Sequence, residues 1–65
     1  MIQVQTKNGW VLKSHRTRGN DTWEFISCGE KSLADEVYKL VREMGKFCKI
    51  GFSSYGWYVM IEINN

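Results

Sequence analysis

Only one stretch of this 65-residue chain carries apolar side chains at helical spacing, and that single stripe decides the class of fold. Leu33, Val37, Leu40, Val41 and Met44 fall on one face of a helix of 3.6 residues per turn, with Asp35, Glu36, Lys39, Arg42 and Glu43 on the other. Ser32 and Asp35 have the spacing of a capping box that would start the helix, and Gly45 stands where a left-handed residue would end it. Every other segment alternates with period two. One helix among strands predicts an α+β domain over residues 1–65, in the order β-β-β-α-β-β. The amphipathic helix is then expected to cover one face of a mostly antiparallel, five-stranded sheet.

The strands follow from alternation and turn chemistry. Ile2 to Thr6 alternates apolar with polar, and Asn8-Gly9 suits a two-residue type I′ hairpin turn. A returning strand from Trp10 to about Arg16 would turn Trp10, Leu12 and Ser14 inward and Val11, Lys13 and His15 outward. Arg18-Gly19-Asn20-Asp21 reads as a second turn, and the aromatic and β-branched run Thr22 to Cys28 as a third strand. Its two aromatic residues, Trp23 and Phe25, share a face, which is expected to meet the helix and leave Glu24 outside. After the helix, Cys48 to Phe52 and Trp57 to Ile63 flank Ser53-Ser54-Tyr55-Gly56 as a second hairpin. The expected core is the helical stripe against Trp10, Trp23, Phe25, Ile50, Phe52, Trp57, Val59 and Ile61.

Composition narrows the functional classes. So short a chain holds one core, burying roughly 60% of the surface it exposes when unfolded, and 43% hydrophobic residues with no proline suit a globular domain. Two cysteines, Cys28 and Cys48, are too few for a disulfide framework and too far apart for a short metal motif. With no apolar leader after Met1 and no run near the ~20 residues of a membrane helix, the expectation is a reduced, cytoplasmic protein with no membrane partner. The only histidine, His15, lies among Lys13, Arg16 and Arg18, without a paired base and nucleophile. No glycine-rich loop precedes the helix, and Asp35 and Glu36 are adjacent and point apart. The chain is therefore read as a non-enzyme with no cofactor, no metal and no small-molecule substrate.

Lys7 to Leu12, followed by Arg18-Gly19, is similar to a fragment of the HicA toxins, small RNA-cleaving proteins with a double-stranded-RNA-binding-like fold. The likeness spans under a quarter of the chain. That family's catalytic histidine sits in a Gly-Ser-His motif, whereas Gly19 here precedes Asn20-Asp21. The likeness is read as convergent hairpin chemistry, and no family follows from it.

What remains is binding surface. On the expected alternation, the sheet face opposite the helix collects Val11, Ile26, Tyr58 and Met60, and the basic hairpin adds Lys13, Arg16 and Arg18. An apolar centre with a polar rim is the anatomy of a protein interface. These residues are expected to bind a protein, a host macromolecule or a second copy, in the manner of a phage-type inhibitor or antitoxin-like accessory factor. The alternative is nucleic acid, with aromatics stacking bases and the basic hairpin on phosphates. Formal net charge is only +2, but the first 20 residues hold four bases and no acid.

Overall fold

In the computed structural model, which describes residues 1–63, six strands and one helix follow in the order β1 (Gln3–Gln5), β2 (Val11–Lys13), β3 (His15–Arg16), β4 (Trp23–Gly29), α1 (Lys31–Glu43), β5 (Cys48–Ser53) and β6 (Gly56–Glu62). All strand pairs are antiparallel, in two sheets: β1-β2, and a four-stranded sheet of order β3-β4-β6-β5. The α+β class holds, but the expected single five-stranded sheet does not. The strand read from Trp10 to Arg16 is divided at Ser14, with β2 pairing β1 and β3 pairing β4.

The division has a polar cause. Ser14 is buried and is held from three sides. Its N–H donates to the Ile2 carbonyl at 2.9 Å, its hydroxyl oxygen accepts from the Ile2 N–H at 2.8 Å, and its hydroxyl donates to Glu24 Oε1 at 2.5 Å. The Met1 ammonium lies 3.2 Å from the same carboxylate oxygen. Burial pushes the Glu24 carboxyl up, but the Ser14 hydroxyl, the ammonium and Arg16 outweigh it and hold the pKa below its ordinary value. A carboxylate with a lowered folded pKa adds stability above its unfolded pKa of roughly 4.3. That stability is lost as pH falls through the lower folded value. Glu24→Gln should therefore flatten the acid limb of a stability-against-pH curve, and Ser14→Ala should cost about 1.5–3 kcal/mol in urea unfolding at neutral pH. An unchanged acid limb in Glu24→Gln would remove the carboxylate from this role.

The first hairpin also departs from expectation. Gly9 has φ +87°, while no described non-glycine residue has positive φ, so Asn8 cannot complete a type I′ turn. Lys7-Asn8-Gly9 instead forms a three-residue loop, with Gly9 N–H bonded to the Thr6 carbonyl and Thr6 N–H to the Trp10 carbonyl. The reason is register. The three-residue loop sets Val4 opposite Leu12, so both turn inward, whereas a two-residue turn would have set Gln5 there.

Helix α1 begins one residue before the expected cap. Glu30 is the extended N-cap and makes no side-chain cap bond, while Asp35 pairs with Lys31 at 3.3 Å rather than closing a capping box. The C-terminus follows the sequence. Gly45, at φ +83°, donates to the Arg42 carbonyl and Lys46 to that of Val41, the paired bonds of a Schellman motif.

The helix packs through Ala34, Val37 and Val41 onto Val4, Ile26, Cys48, Val59 and Ile61, all buried, with Leu33, Leu40, Ile50 and Trp57 at the margin. Met44, expected in the stripe, is 49% exposed. The main correction concerns β4, where Glu24 and Ile26 are buried and Trp23 and Phe25 are not. Apolar residues occur on both parities of this strand. The helix takes the branched Ile26 and the small Cys28, and Glu24 is buried at the strand's other end because Ser14 and the ammonium satisfy it. Trp10 and Phe52, also expected in the core, stand at the periphery, 60% and 66% exposed.

Candidate functional site

With β4 turned over, the sheet face away from the helix becomes an aromatic surface. In register across it, His15 of β3 faces Phe25 of β4, then Met60 of β6, then Lys49 of β5. The next rows are Ser27, Tyr58 and Gly51, and Trp23 with Glu62. The rings touch. Phe25 meets Tyr58 edge-on at 6.0 Å between centroids, His15 lies 6.2 Å from Phe25, and Trp23 lies 6.3 Å from Phe47. Lys49 Nζ sits 5.7 Å from the Trp23 ring and 5.8 Å from the Phe47 ring, in cation–π range of both.

Tyr58 is set by its neighbour across the strands. Its ring lies over Gly51 so closely that any Cβ at that position would overlap it. A glycine on β5 thus gives the tyrosine a flat seat on bare backbone. Beside it opens a pocket of about 230 Å³, whose lining includes His15, Phe25, Ser27, Ser53, Tyr55 and Tyr58, with Thr17, Gly56 and Trp57 at its border. Tyr55, at the tip of the β5–β6 turn, is 95% exposed. The nearby Trp57 ring belongs to the other face, against Phe52 at 5.0 Å and beneath Lys31 Nζ at 5.6 Å. A larger cleft of about 420 Å³ lies between the first hairpin and the start of α1; its walls carry Lys7 and Lys39 together with Glu30, Asp35 and Glu36.

The residues expected at a binding site are dispersed. Tyr58 and Met60 lie on the open sheet face. Ile26 is removed from it, since it is 1% exposed in the core, and Glu24 goes with it. Val11 and Lys13 belong to the two-stranded ribbon, opposite Gln5 and Gln3. Arg16 stands in register with Glu24 and so takes the opposite face from His15 and Phe25. Arg18 lies in the loop between β3 and β4. Sequence reasoning missed Trp23, Phe25, Phe47 and Ser27 as surface residues. The available signal was Ile26 and Cys28, whose alternation opposes that of Trp23 and Phe25.

Cys28 and Cys48 are free thiols, and no cluster of three metal-ligating side chains occurs among the described residues. Burial pushes the Cys28 thiol up to about 11, and burial likewise raises Cys48 against the opposing pull of Arg42. Raised thiols are poor nucleophiles. Cys48, 2% exposed, is therefore expected to react with a thiol reagent at pH 8 only as fast as the domain opens; rapid native-state labelling would contradict this. No helix among the described residues is long and apolar enough to cross a membrane. No family model matches the chain, no curated protein matches it, and no solved structure matches its fold.

Proposed function

We propose that the chain is a non-enzymatic interaction module that binds another protein through the open face of its four-stranded sheet. The observation that carries this reading is the joined aromatic and methionine centre, Trp23, Phe25, Tyr58 and Met60, edged by His15, Ser27, Lys49 and Glu62. Such a centre with a polar edge suits a protein partner, and tyrosine and tryptophan are the residues on which interface energy concentrates. An inhibitory or accessory role would act by occlusion through this face.

Two observations weigh against the other occupants. Phosphate contacts need clustered cations, yet Arg16 is turned from the aromatic face and Lys13 lies on the ribbon. A symmetric dimer needs a patch that fits itself, with a pocket and its filler on the same surface. Here two of the most exposed rings, Trp10 and Phe52, stand off the open face, which leaves only Trp23 and Tyr55 on it to fill the pocket of a second copy.

Selection of random displayed peptides on the folded protein tests the reading whatever the identity of the partner. Selected peptides should bind Tyr58→Ala at least ~5-fold more weakly, the loss of a contact worth above about 1 kcal/mol, and Val11→Ala and Lys13→Ala unchanged. Three outcomes would overturn the proposal: peptides indifferent to Tyr58, a dimer abolished by Met60→Asp, or oligonucleotide binding at near-physiological salt that disappears in Arg16→Ala/Arg18→Ala.

A further inference from the structure

The pocket beside Tyr58 has a chemistry of its own. Phe25 and Tyr58, fixed edge to face, form its aromatic wall, and Tyr55 stands free at its mouth. Trp57 and Gly56 also border it, the remaining lining residues Thr17, Ser27, Ser53 and His15 carry polar hydrogen-bonding groups, and neither a carboxylate nor a lysine or arginine lines it. The volume of about 230 Å³ falls below the roughly 300–1,000 Å³ that encloses a drug-sized ligand. It matches one ring system. A nucleotide would bring a phosphate with no lysine or arginine in the lining to meet it, and a lysine or arginine side chain would find no carboxylate.

We infer that this pocket receives a single tryptophan or tyrosine side chain of the protein partner, the anchor of the interface proposed above. The anchor ring packs against Phe25 and Tyr58, Tyr55 folds over it, and its N–H or O–H reaches a serine hydroxyl at the rim. An aliphatic anchor would cover the Ser27 hydroxyl and leave it without a partner, whereas Ser53 is already held within the turn, donating to the Gly56 carbonyl at 3.4 Å and accepting from the Tyr55 N–H at 3.2 Å. A buried polar group so stranded is penalised, which sets the preference for an amphipathic ring.

The inference rests on the open-face reading, and its test separates the two. N-acetyl-tryptophanamide, N-acetyl-leucinamide and adenosine monophosphate are titrated separately into the labelled protein while backbone amide shifts are followed. The expected result is a saturable change for the tryptophan compound at Ser27 and Ser53 to Tyr58. Tyr55→Ala should weaken it at least ~5-fold, and Ser27→Phe, which fills the pocket from an exposed position, should abolish it. Equal or tighter binding of the leucine compound or the nucleotide would overturn the anchor, as would tryptophanamide binding unchanged in Ser27→Phe. Peptides that depend on Tyr58 but carry no aromatic residue would overturn the anchor and leave the open-face interface standing. Peptides indifferent to Tyr58 would remove both.

Discussion

Ile26→Ala is expected to cost about 2–5 kcal/mol, the range for emptying a buried isoleucine site, whereas Phe25→Ala one residue away should cost distinctly less. Ile26 is 1% exposed and packs with Val37, Val41 and Val59 between helix and sheet, where neighbouring side chains leave a truncated site little room to collapse. Phe25 is half-buried on the open face, and its specific contact is the edge-on pair with Tyr58, worth about 0.5–1.5 kcal/mol. Domains have total stabilities of roughly 5–15 kcal/mol. Against that scale the isoleucine variant should lose a large share of its folded population, and the phenylalanine variant should not. Urea unfolding of the two variants beside the parent makes the comparison. A larger loss for Phe25→Ala would mean that β4 presents its aromatic residues to the helix after all.

Gly56→Ala is the second substitution expected to have a large effect, although it adds one methyl group on a turn. Gly56 has φ +106°, and a Cβ there would stand 2.8 Å from the Gly29 carbonyl oxygen and 2.9 Å from the Gly29 Cα. Both obstacles are backbone, so no rotamer change relieves them. The two glycines meet where β4 carries an irregularity between Ser27 and Gly29 and turns into the helix. Overpacking of this kind costs about 1–3 kcal/mol, and the left-handed backbone adds about 1–2 kcal/mol for a residue with a Cβ. Thermal unfolding should show a lowered midpoint, by roughly 4–8 °C per kcal/mol at this size. Gly9→Ala provides the comparison: its φ is also positive, but a Cβ there meets nothing within 4 Å, so only the backbone strain applies. Equal losses in the two variants would show that the Gly29 contact carries no weight.

The two substitutions also bear differently on binding. Gly56 lines the pocket beside Tyr58, so its replacement disturbs stability and the candidate site together. Ile26→Ala acts on the core, and whatever fraction stays folded should keep the open face intact.

Period and turn chemistry in the sequence determined the class of fold, the helix stripe centred on Val37 and Val41, the stop at Gly45 and the C-terminal hairpin. Each depends on contacts within a few residues of the chain. Val59 and Ile61 were legible as core because β6 has unbroken apolar residues on that parity, Trp57, Val59 and Ile61, which also placed Tyr58 and Met60 opposite. Only tertiary structure decided the side on which β4 lies, because Trp23 and Phe25 oppose Ile26 and Cys28 and local alternation weighs the two sets alike. The deciding partners, Ser14 and Ile61 among them, are distant in sequence and reach β4 only once the strands assemble. The break at Ser14 has the same origin: a serine reads as a weak strand residue until Glu24 and the Ile2 backbone converge on it from separate segments. The aromatic face therefore belongs to the assembled sheet, since the register that joins His15, Phe25, Met60 and Lys49 in one row comes from four separate strands.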